Sequence, residues 1–241
     1  MADVDHNLAI WSSNWDWSQR GDEWSWWWGD TPALWTAVLL PRIHAFVPTG
    51  SILEIAPGYG RWTQFLKDLC EHLTIVDLTE GCIEHCRERF ADATNIEYHV
   101  NDGRSLEMVE DGSIDFAFSF DSLVHVEEDV LGAYVDQLAR KVPSRFFEPL
   151  VRRGVLINLP AWRAESVTAE LFADRCEQAG LSCITQEKVS WEFGRYVIDT
   201  FSFFTPRGSR WDRPRRVLRN PLFVREAARA RELYARESFT R

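Results

Sequence analysis

Four carboxylates stand at or near the ends of successive apolar runs: Glu54 in residues 51–56, Asp77 closing 73–77, Asp102 just after 95–100, and Asp121 directly after 113–120. Between the first two lies Pro57-Gly58-Tyr59-Gly60, where two glycines let the backbone come close to a ligand. The third glycine of a dinucleotide fingerprint is missing, and Thr63 stands in its place. Glu54 also sits where a pyrophosphate would need to lie, which disfavours NAD. A cofactor carrying an ammonium, a ribose diol and an adenine suits these groups better. Glu54 and the loop carbonyls can face the ammonium, and Asp77, followed by Leu78, can accept from both ribose hydroxyls. Asp102 can accept from the adenine amino group while Gly103 allows close backbone approach. Any one of these acids alone reads as a helix cap or a solvated loop residue. Their recurrence at strand ends gives them meaning together.

Such acids need a scaffold that sets consecutive strand ends side by side. An open parallel sheet does this, with ligands beyond the carboxyl ends of its strands. Residues 51–56, 73–78, 95–100 and 113–120 read as strands, and a helix carries Trp62, Phe65, Leu66 and Leu69. Further helices are expected over 80–90 and 127–141. This alternation predicts an α/β, Rossmann-like, doubly wound and mostly parallel sheet. Residues 166–179 predict a helix stopped by Gly180, and 181–191 with 196–204 predict an antiparallel edge. Asn220 and Pro221 predict the cap and first position of a last helix. A fifth strand should follow 127–141, but the text there runs Lys141-Val-Pro-Ser-Arg-Phe-Phe-Glu-Pro149. Strand five is therefore either 155–159 or missing.

The 241 residues, 45% of them hydrophobic, suit a single wound domain over 50–205 with two flanking pieces. Residues 1–49 form a tryptophan-rich extension, with eight of the twelve Trp in the first 35 residues. They fit neither a period of 2 nor one of 3.6, so an irregular segment is expected, packed on the core or walling a substrate site. Residues 206–241 form an arginine-rich tail with a terminal helix. From 205 onward there are eleven Arg against four acids, +7, so the rest of the chain carries −17 of the net −10. A body that acidic argues against general nucleic-acid binding. The tail either wraps the body, holds an anionic acceptor or grazes an anionic membrane. Five cysteines without a CxxC pair point to reduced thiols in a cytoplasm. Cys82, His85 and Cys86 share a helix face without a fourth ligand, so no metal is expected. No apolar run approaches the roughly 20 residues of a membrane span, and no secretion signal is read.

The segments ILEIAPGYGRWTQFL, TIVDL, VNDGRSL and IDFAFSFDSLVHVEEDV, in that order, resemble class I S-adenosylmethionine-dependent methyltransferases over residues 51–141. WDWSQRGDEW, WRAESVTAELF and GSRWDRP resemble a bacterial subgroup associated with sugar and polysaccharide biosynthesis. The resemblance implies the class I methyltransferase fold, S-adenosylmethionine as cofactor, and a small-molecule or glycan acceptor. It places cofactor contacts at Glu54, Ala56, Gly58, Gly60, Asp77, Asp102, Phe120 and Asp121. Ala56-Pro57 replaces the commoner glycine start of the loop. Methyl transfer to an alcohol needs alignment and removal of a proton. His125 is the candidate base, with Asp121 orienting it or touching substrate; packing over the cofactor is the other role open to it. The readings that follow are O-methylation of a sugar or glycan hydroxyl, O- or N-methylation of a small natural product, or cofactor binding without turnover.

Overall fold

The computed structural model describes residues 3–142, 146–149, 167–190 and 199–237. Eight strands form one sheet: β1 (Thr49–Ile55), β2 (Cys70–Asp77), β3 (Ile96–Val100), β4 (Phe116–Phe118), β5 (Phe146–Pro149), β6 (Leu181–Val189), β7 (Asp199–Pro206) and β8 (Arg216–Asn220). Their order is β3-β2-β1-β4-β5-β7-β6-β8. All neighbours are parallel except β7, which runs antiparallel to β5 and β6. This is the Rossmann-like sheet of class I methyltransferases. The reversal of winding between β1 and β4 creates the crevice where such sheets bind ligands.

Three details differ from the expectations. Strand five is present as Phe146–Pro149, paired with β4 and β7; the alternative at 155–159 lies outside the described residues. The strand is only four residues long, Phe-Phe-Glu-Pro, with two consecutive apolar side chains, too short for periodicity to single it out. The antiparallel strand β7 lies inside the sheet, between β5 and β6, and the edge belongs to β8 from the arginine-rich tail, which adds a further parallel strand to β6. Asn220 consequently ends β8 instead of opening the last helix. Its side chain accepts from the Leu222 backbone N–H, and the last helix starts later, at Glu226–Glu237.

The helices follow from local chemistry. On Glu128–Lys141, Val130, Leu131, Tyr134, Val135 and Leu138 make one buried stripe, with acids in the first turn and Arg140 and Lys141 in the last. Ala169–Gln178 is capped by Thr168, whose hydroxyl accepts from the Leu171 N–H at 3.1 Å. These two helices cover one face of the sheet around Phe172, Tyr134 and Leu138. The other face is covered by Glu80–Arg89 and by residues 31–43, a nearly continuous helical stretch burying Leu34, Trp35, Val38, Leu39 and Ile43. The tryptophan-rich start is irregular: a short helix over Val4–Ala9, then tight turns at Trp17–Gln19 and Asp22–Trp28.

Candidate functional site

The first loop is strained where its sequence departs from glycine. Ala56 adopts the left-handed region (φ 57°), as do Gly58 (57°) and Gly60 (80°). The bend is tied down at its start: the Ala56 N–H donates to the Val76 carbonyl at 2.7 Å, and the Ser122 hydroxyl donates to the Ala56 carbonyl at 2.9 Å. The two glycines serve different ends. A Cβ on Gly60 would sit 2.5 Å from the Phe90 ring, so this glycine allows the loop to pack on the helix behind it. Gly58 faces the cavity.

Asp77, at the end of β2, is buried and aimed at this loop. One carboxylate oxygen accepts from the Gly58 N–H at 3.1 Å, the other from the Thr79 N–H (2.9 Å) and hydroxyl (3.0 Å). Burial nevertheless pushes its pKa above the usual carboxylate range. Glu54 lies deeper, beneath the loop. Thr63 donates to one oxygen at 2.6 Å while the other, Oε1, has no partner. Burial pushes Glu54 up to about 8, so it is protonated at neutral pH in this state.

Asp121 has a positive φ of 61° and accepts from Arg61 Nη2 at 3.1 Å. Arg61 is itself buried, its guanidinium 4.5 Å from the Trp62 ring centroid and 5.1 Å from that of Trp24. Its Nη1 has no partner, and burial holds its pKa below the ordinary arginine value.

The tryptophan-rich segment closes the crevice from above. Trp17 stacks on Tyr59 of the loop at 4.5 Å and 6°, and Tyr59 stacks in turn on His85 at 3.9 Å. Trp11 lies 5.1 Å from the His125 ring, and the Asn7 amide donates to the His125 carbonyl at 2.7 Å. Of the sequence candidates, Ala56, Gly58, Asp77, Leu78, Gly103, Phe120, Asp121 and His125 line one shared cavity. Glu54, Gly60 and Asp102 do not. Asp102 is exposed, and one of its oxygens accepts from the Arg104 and Ser105 N–H groups, which holds its pKa low. The cavity wall also includes Trp11, Trp17, Trp24 and Arg61. Arg61 was missed although it directly follows Gly60, where the chain turns into a helix over the loop.

Residues 52–143 match a family model described as a methyltransferase domain. The core is an S-adenosylmethionine-dependent methyltransferase domain. No curated protein sequence matches the chain. Among solved structures, the methyltransferase is similar to magnesium protoporphyrin IX methyltransferase from Synechocystis PCC 6803 with bound S-adenosylhomocysteine. That match has a TM-score of 0.62 and 13% identity, covering 85% of this chain and 100% of the other. A TehB-like S-adenosylmethionine-dependent methyltransferase from Corynebacterium glutamicum gives 0.52 at 19% identity, over 68% of this chain and 85% of that one. A glycopeptide N-methyltransferase complexed with S-adenosylmethionine gives 0.52 at 14%, over 70% and 86%.

The residues present fit the cofactor. Buried polar atoms are almost always hydrogen-bonded in a finished protein, yet Arg61 Nη1 and Trp62 Nε1, both from residues of the cavity wall, stay unpaired. Two unpaired donors on one wall suit a ligand with hydrogen-bond acceptors.

Proposed function

We propose that this methyltransferase transfers a methyl group to a hydroxyl of a sugar or glycan. Bound, S-adenosylmethionine supplies an electrophilic methyl group on a sulfonium. Asp77 holds the ribose hydroxyls, exchanging its present bonds to the loop for bonds to the ligand. Ala56, Gly58, Leu78, Gly103 and Phe120 bound the nucleoside, and Glu54 acts from beneath through the loop and Thr63. Asp102 leaves the adenine contact to the backbone at Gly103. His125 accepts the acceptor's proton, with Asp121 fixing the floor beside it through Arg61. Residues 50–205 form the catalytic body in this reading, and 1–49 supply its acceptor wall.

The observation that carries the reading is that Trp11, Trp17 and Trp24 line the same cavity as Asp77 and His125. Flat indole faces stack on the apolar faces of sugar rings. They also attract cations, which makes N-methylation of a small amine the second reading. Calorimetry with S-adenosylhomocysteine and NAD, followed by methyl uptake across nucleotide sugars, glycan fragments and amines, tests both. Asp77→Ala should abolish S-adenosylhomocysteine binding. His125→Ala should spare it and lower turnover about 10²- to 10⁴-fold. NAD binding as tight as the adduct would remove the cofactor assignment, and an unchanged rate in His125→Ala would remove the base.

A further inference from the structure

We propose that the surface formed by the arginine-rich tail and the Trp26–Trp27 pair is an interfacial anchor for an anionic lipid bilayer. The observation is a coincidence of two kinds of exposure. Seven large apolar side chains are exposed among the described residues, and five fall in this region: Trp26 (62%), Trp27 (49%), Val217 (50%), Leu218 (50%) and Leu222 (54%). Trp26 and Trp27 stack on each other at 4.0 Å without covering themselves. The next residue, Trp28, is buried with its ring 5.2 Å from Phe223, and its indole N–H donates to the Phe223 carbonyl. Arg231 also bonds to the Trp28 carbonyl. The 22–28 turn, which carries the exposed pair, therefore packs on residues 223–225, directly after Leu222 in the chain.

The charge falls in the same place. Arg213, Arg215, Arg216, Arg219 and Arg229 are exposed, and none pairs with a carboxylate among the described residues. Several arginines of the body behave otherwise: Arg61, Arg87, Arg104, Arg140 and Arg175 each meet an acid, although Arg89 bonds to the Tyr59 carbonyl instead. With +7 from residue 205 onward and −17 elsewhere, the molecule turns this side towards a negative surface and its body away from it.

Tryptophan sits by preference at the headgroup level of a bilayer, and basic residues are drawn to anionic leaflets. Interfacial binding scales with exposed apolar area together with such attraction. The aliphatic Val217, Leu218 and Leu222 favour lipid over nucleic acid, because they add apolar area and no stacking faces for bases. No helix among the described residues is long and apolar enough to cross a membrane, so the contact is one that lies on the surface.

The full chain should cosediment with phosphatidylcholine–phosphatidylglycerol vesicles and not with phosphatidylcholine alone. Affinity should fall at least about tenfold as salt shortens the screening length towards 3 Å. Arg215→Glu combined with Arg216→Glu and Arg219→Glu should remove binding while S-adenosylhomocysteine affinity stays unchanged. Trp26→Ser with Trp27→Ser, at constant charge, should weaken binding about tenfold and remove quenching of tryptophan emission by brominated lipid. Equal binding to neutral vesicles, or tighter binding to a short duplex DNA than to anionic vesicles, would overturn the proposal. So would a concentration-dependent dimer that disappears in the double Trp variant.

Discussion

Two arginines of this methyltransferase, Arg61 buried and Arg42 largely covered with its side chain 13% exposed, are treated in opposite ways. Arg42, on the helical stretch 31–43, bonds to both oxygens of Glu187 (2.8 and 2.7 Å), both of Glu226 (2.9 and 3.0 Å) and the Val38 carbonyl (2.7 Å). Burial pulls its pKa down, but the two carboxylates more than offset this and hold it above the ordinary value. Arg61 meets one carboxylate, keeps one nitrogen unpaired, and has its pKa held below the ordinary value by burial. Around Arg42 no buried side-chain atom among the described residues lacks a partner, while Glu54, Trp62 and Ser119 near Arg61 each leave one unpaired. The first cluster is complete as it stands and serves stability. The second keeps polar atoms unpaired, which suits the binding role proposed for it.

The largest effect should come from Arg42→Ala. It leaves Glu187 and Glu226 facing each other, partly buried, and should cost about 3–5 kcal/mol in denaturant unfolding, with S-adenosylhomocysteine affinity per folded molecule unchanged. Arg61→Met should cost about 1–2 kcal/mol, because an apolar side chain of similar length relieves an incompletely bonded charge. Its cofactor affinity should fall about tenfold or more, equivalent to about 1.4 kcal/mol. If calorimetry and unfolding gave these two variants the same profile, the comparison would collapse.

Glu54 sharpens the contrast through pH. Its folded pKa of about 8 lies above the unfolded value of about 4.3, so the folded state binds the extra proton. The stability this contributes is complete below about pH 4.3 and is lost as pH rises towards 8. The unliganded protein should therefore lose melting temperature across that window, and Glu54→Gln should flatten the loss. Parallel melting curves for the two proteins would sink the assignment. The smallest effect is expected at Ala56. Its left-handed backbone costs an alanine about 1–2 kcal/mol, while glycine's extra unfolded freedom takes back about 0.5–1. Ala56→Gly should thus stabilise the protein by about 0.5–1 kcal/mol in chemical unfolding.

The parallel half of the sheet was legible because β1, β2 and their helices carry apolar runs of full length, closed by Asp77 and the glycine loop. Strand five was not, because the four residues Phe146–Pro149 are too few to give a period to read. β8 escaped notice because its five residues, Arg216-Val-Leu-Arg-Asn220, are almost wholly exposed and bury no apolar face to mark a period. Within the cavity, residues at strand ends could be placed from topology alone. Glu54 and Asp102 stand at such ends too, yet one points beneath the loop and the other caps its own turn. Side-chain direction at a strand end depends on local hydrogen bonds that spacing does not encode. The tryptophans of the first 28 residues could be seen to need a partner, but only the fold reveals that Trp11 and Trp17 find it at His125 and Tyr59.

The Arg42 cluster draws together residues 42, 187 and 226, which the ribosome delivers far apart in time. Until Glu226 has emerged, Arg42 has at most one of its two acids, and the helical stretch that carries it lacks half of its anchor. Synthesis therefore has to run nearly to the end of the described chain before this face of the sheet can lock, and a nascent chain stalled earlier would be a ready target for quality-control proteases.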